Sequence, residues 1–159
     1  MGDWRKLAGL SWADRRLLAR AAAMLAHAKL ALPSTGFGPD REAPAADSDI
    51  AVSPAMLSRA QAIARLVGVA ASRVPFRVAC LHRSIVLWRL LRRERIPCEL
   101  RLGARTGAGP FGAHAWVECG GVALGEDPAH LASYRPFDRA VVPDPRDGPL
   151  PKSGLRRPT

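Results

Sequence analysis

Residues 80–93 read CLHRSIVLWRLLRR, a cysteine followed by a helical pattern of apolar residues. At about 100° per residue, Ser84, Leu87 and Leu91 fall within about 40° of Cys80, and Trp88 at about 80°. His82, Arg89 and Arg93 gather on the opposite side. Cys80 is thus expected to face a core or a cleft wall, and His82 to face solvent with the arginines. His82 is therefore not a base for the thiol, although it lies two residues away. A helix start presents unpaired N–H groups and the positive end of the helix dipole, and both favour thiolate over thiol. The same groups can hold an oxyanion. Taken alone, the residue reads better as a small buried structural cysteine.

Outward from this helix, Pro75 breaks the chain on one side and Pro97 on the other. Upstream, SWADRRLLARAAAMLAHAKLAL (11–32) has an apolar stripe at helical spacing. Ser11 can cap it, with Asp14 three residues on. Ser53-Pro54 is a cap followed by a first-turn proline, and the helix it opens runs to about Ser72. Downstream, CELRLGAR (98–105) alternates as a strand does. AHAWVECGGVALGED (113–127) reads as two strands about a Gly120-Gly121 turn. These elements predict a single α+β domain over 1–159: an N-terminal helical segment (1–32), a Pro-, Gly- and Asp-rich linker (33–53), a helix plus a small antiparallel sheet (54–138), and a loose tail (139–159).

If Gly120 and Gly121 are the loop residues, Cys119 opposes Val122, Glu118 opposes Ala123 and Val117 opposes Leu124. Continued regularly, the pairing sets His114 opposite Asp127 and turns Glu126 to the other face. Asp127 could then fix the tautomer of His114 and stabilise its imidazolium; a bulge would reverse the choice of carboxylate. Asp127 before Pro128 can also be a mere turn former. A cysteine at a helix mouth, a strand histidine and a carboxylate across the hairpin are the parts of a Cys-His-Asp triad. Trp116 shares the face of His114. Phe111 and Gly112 precede the histidine strand in a loop that could border a cleft. We place all three in substrate binding.

The segments CLHRSIVLWRLLRRERIPCELRLGAR and FGAHAWVECGGVALGED together resemble the small stand-alone leader peptidases of lasso-peptide biosynthesis, within the transglutaminase-like cysteine-protease superfamily. The likeness covers roughly Pro75 to Asp127, and more weakly LSWADRRLL near the N-terminus. It implies a papain-like core in which Cys80 is nucleophile, His114 general base and Asp127 the third member. It implies removal of a leader from a ribosomally made precursor peptide, a small leader-binding protein that delivers the precursor, and a macrolactam-forming synthetase downstream. Papain-type enzymes also carry an oxyanion-binding Gln shortly before the nucleophile. The only Gln here is Gln61, so backbone amides near Cys80 must serve instead.

Composition bounds these readings. The 159 residues carry three cysteines and no signal-like apolar segment, which points to a cytoplasmic protein with free thiols. No run approaches a membrane span. No CxxC, HxxxH or P-loop occurs, so neither a metal nor another cofactor is expected. The net charge is +10. That excess fits nucleic acid, an anionic peptide partner, or simply an Arg-rich surface from coding bias, the last being favoured over nucleic acid. Two rival functions remain: an amide-transferring transglutaminase on the same triad, and a non-catalytic basic module binding peptide or nucleic acid.

Overall fold

The computed structural model describes residues 10–31, 51–105 and 111–137. The expected tail lies outside these residues, as does the expected linker apart from positions 51–53. Three helices precede the sheet: α1 (Trp12–Ala31), α2 (Pro54–Arg73) and α3 (Cys80–Arg93). Strands β1 (Glu99–Arg105), β2 (Ala113–Cys119) and β3 (Val122–Ala123) follow, then a one-turn helix α4 (Pro128–Leu131) and β4 (Tyr134–Pro136). The sheet is antiparallel, in the order β3-β2-β1-β4. The architecture is α+β, helices on a small antiparallel sheet.

Local chemistry sets the helix starts. The Asp14 amide donates to the Ser11 hydroxyl at 3.1 Å, and that hydroxyl donates to the Asp14 carboxylate at 2.8 Å. Ser53 accepts from the Met56 amide at 3.2 Å, with Pro54 opening α2. The three helices share one apolar core with one face of the sheet. Leu25, Ile63 and Leu91 have no exposed surface and meet Leu100, Val117 and Cys119. Each fully buried Leu or Ile contributes about 1.5–3 kcal/mol of transfer free energy.

Strand alternation sends the other β1 and β2 residues to the opposite face. There Gly103 pairs with His114, Arg101 with Trp116 and Glu99 with Glu118. Trp116 lies across Gly103: a Cβ added at that glycine would come within 2.7 Å of the Arg135 carbonyl oxygen and 2.9 Å of the indole. The indole N–H donates to Glu118 at 2.8 Å, and Arg101 donates to the same carboxylate at 3.2 Å.

His82 departs from expectation. Its ring nitrogens are buried and have no hydrogen-bond partner among the described residues, rather than facing solvent. Burial, and secondarily Lys29, lowers its pKa. The folded protein therefore favours neutral His82. The associated stability is complete above the ordinary histidine pKa of about 6.5 and is lost as pH falls through the lower folded value.

Two outcomes are expected. Gly103→Ala should lower the unfolding free energy by about 1–3 kcal/mol through the clash with Trp116 and β4, measured by urea denaturation. The urea midpoint should fall between pH 7 and pH 5, and His82→Leu should flatten that slope; an unchanged slope would contradict the assignment.

Candidate active site

Cys80 is the first residue of α3 and is partly exposed; Cys98 and Cys119 are buried. Ala79 occupies the N-cap, and no side chain caps the helix there. The first backbone bond of the helix runs from the Arg83 amide to the Ala79 carbonyl at 3.2 Å. The amides of Cys80, Leu81 and His82 thus have no intrahelical acceptor. At α2 a serine occupies the equivalent position and satisfies such a donor. The thiol sits beside free donors and the positive end of a helix of 14 residues.

His114 lies on β2, 9% exposed. Its Nε2 is 2.9 Å from Oε2 of Glu126, whose side chain is 6% exposed. The partner is therefore Glu126 and not Asp127. The pairing Cys119–Val122 and Glu118–Ala123 holds as expected, and the Leu124 amide donates to the Val117 carbonyl at 2.9 Å. Regular pairing then stops. Gly125 has φ +67°, a left-handed conformation that glycine adopts freely, and the side-chain parity changes there. Asp127 instead caps α4: its carboxylate accepts from the Ala129 amide at 3.0 Å, with Pro128 as the first helical residue.

The second oxygen of Glu126 accepts from the Arg83 guanidinium, so one carboxylate spans α3 and His114. Ser84 adds a parallel tie, its hydroxyl donating to the Ala115 carbonyl at 2.8 Å in the interior. Arg83 and Ser84 are three and four residues past Cys80, the spacing that shares its helix face. The mouth of α3 is thereby anchored to the residue after His114 and to the carboxylate that holds His114. The Cys80 sulfur makes no direct hydrogen bond to the imidazole. With Nε2 committed to Glu126, Nδ1 is the ring nitrogen available for proton exchange.

An aromatic wall surrounds the imidazole. Trp116 stacks at 6.0 Å between centroids, His130 meets it edge-on at 5.3 Å and Tyr134 lies at 5.1 Å. Tyr134 accepts from Arg105 at 3.0 Å, under a cation–π contact. Trp116, expected to touch substrate, is 2% exposed and bonded to Glu118, which makes it backing for His114 and not a cleft surface. Phe111 is 85% exposed at the start of the histidine strand, and Gly112 sits over the Arg105 side chain. His130 and Tyr134 carried no signal beyond their i, i+4 spacing; the turn of α4 brings them to His114. Among the described residues, no three His, Cys, Asp or Glu side chains are placed to hold a metal ion.

The profile of the transglutaminase-like superfamily matches residues 22–139, well over half of the chain. The chain belongs to the transglutaminase-like superfamily. Members of this superfamily are typically cysteine-based enzymes, cysteine proteases or transglutaminases. The superfamily match spans α3, the sheet and all the residues around His114. Comparison with curated proteins and with solved structures returns no match.

The three thiols should separate chemically. Burial pushes Cys98 up to about 12, and raises Cys119 as well. In the native protein at pH 8, iodoacetamide should modify Cys80 alone, with Cys98 and Cys119 reacting only after denaturation; peptide mass mapping reads the result. Equal labelling of all three would refute the assignment.

Proposed function

We propose that this protein is a cysteine peptidase that removes the leader from a lasso-type precursor peptide. The observation that carries the reading is the chain Arg83–Glu126–His114, which joins the turn following Cys80 to a carboxylate-held imidazole. The superfamily match supports cysteine-based acyl transfer, and the two motif segments quoted above supply the narrower likeness.

The chemistry follows from the groups present. His114 Nδ1 takes the Cys80 proton, and the thiolate attacks the carbonyl at the leader–core junction. Glu126 accepts from Nε2–H throughout and stabilises the imidazolium. The uncapped amides at the head of α3 face the developing oxyanion, a contribution of roughly 3 kcal/mol per donor in comparable sites. The C–N bond breaks as His114 returns its proton to the leaving amine of the core peptide. His114 then deprotonates water, which cleaves the thioester and frees the leader acid and the thiol. Arg83 holds Glu126 between helix and imidazole, so it is a positioning residue. Phe111, exposed beside the histidine strand, is our candidate for contact with substrate, next to Gly112.

A leader-binding carrier protein would deliver the precursor, and a macrolactam synthetase would consume the released core peptide, in the cytoplasm. No described helix is long and apolar enough to cross a membrane.

The test combines precursor and carrier with the enzyme and weighs the products. Wild type should yield leader and core; Cys80→Ala should yield neither. Glu126→Gln should lower kcat by on the order of 10²-fold or more, whereas Asp127→Asn should change it less than about threefold. Cleavage by Cys80→Ala would sink the proposal. Incorporation of a labelled amine into a glutamine peptide, without hydrolysis, would assign the site to amide transfer.

A further inference from the structure

α1 and α3 leave a groove of about 510 Å³ between them, at the far end of α3 from its cysteine. Arg20, Met24 and His27 of α1 and Trp88, Arg89, Arg92 and Arg93 of α3 line it. Arg92 lies over the Trp88 ring at 5.9 Å. None of the four arginines is ion-paired among the described residues. Three arginines outside the groove do pair with carboxylates: Arg59 with Glu94, Arg83 with Glu126 and Arg101 with Glu118. Arg92 and Arg93 offset the dipole at the end of α3, but Arg20 and Arg89 lie inside their helices and have no such role. These four charges stand over an apolar floor of Ala23, Met24 and Trp88.

We infer that this groove is a docking site for an acidic, amphipathic peptide segment of another protein. Carboxylates would meet the arginines while an apolar side chain enters between Met24 and Trp88. From Arg20 to His27 the wall is about 10 Å long, two helical turns. That is short for the six to ten phosphate contacts of a nucleic-acid track, and its concave apolar floor suits a side-chain anchor. Arg92 is twelve residues from Cys80, about 18 Å along the helix, so the groove anchors a partner outside the reaction centre. The inference does not require the peptidase reading, and binding is measured without turnover.

The experiment uses the full chain and fluorescence anisotropy with three labelled probes: a twelve-residue Glu/Leu peptide at helical spacing, its Lys/Leu counterpart, and a twelve-nucleotide oligothymidylate. The Glu/Leu peptide should bind and the Lys/Leu peptide should not. Arg20→Glu with Arg89→Glu should weaken binding by about tenfold or more. Arg20→Gln with Arg89→Gln, which removes charge without adding any, should weaken it by about threefold and decides the matter if the first pair unfolds. Trp88→Phe should abolish the peptide-induced change in tryptophan emission. Equal binding by wild type and the glutamine pair would overturn the inference. So would oligothymidylate binding more tightly than the peptide and being lost in the same variants, which would make the groove a nucleic-acid site.

Discussion

One carboxylate governs the site. Glu126 is nearly buried, and each of its oxygens has a cationic or imidazole partner on a different element. A buried carboxylate without partners would cost several kcal/mol, so the arrangement is stable only when α3 and the β2–β3 hairpin are both in place. The same requirement brings together the groups of the proposed chemistry. Arg83 neutralises the carboxylate from the helix side, His114 engages it from the sheet side, and Cys80 stands one turn before Arg83. The Ser84–Ala115 bond runs beside this tie, so the helix mouth has two points of attachment to the histidine strand.

The two faces of the sheet divide the labour. One is apolar and fuses with the three helices into the core. The other is built from Trp116 over Gly103, with Glu118 and Arg101 satisfying the polar edges. A histidine at the end of that second face gains stiff aromatic neighbours. The ring is confined by packing as well as by its bond to Glu126, which is what a proton-transfer group needs to hold one orientation. Arginine has contrasting roles. Arg59, Arg83 and Arg101 close carboxylate pairs; between α1 and α3 four arginines without an ion pair among the described residues line one groove over an apolar floor.

The three long helices, the two-glycine turn and the position of Cys80 were legible in the sequence, because caps, prolines and periodicity act within a few residues. Ser53-Pro54 and Gly120-Gly121 are read directly from such local rules, and the hairpin pairing holds through Leu124. The thiol and the histidine strand were also legible, as was the superfamily. The choice between Glu126 and Asp127 was not. It depends on Gly125 taking a positive φ and on Asp127-Pro128 opening a helix, which repeats the logic of Ser53-Pro54 at a place where strand pairing was extrapolated instead.

By itself the sequence determined the three long helices, the strands β1 to β3 and which residue heads the third helix, since those follow from short-range hydrogen bonding and side-chain pattern. Only the tertiary structure decided which carboxylate serves His114, that Trp116 is backing and not a cleft surface, that His82 is enclosed, and that four arginines converge. Each of these depends on distant segments meeting. A single left-handed glycine moves a side chain from one face of a strand to the other, and no local rule records what waits on that face.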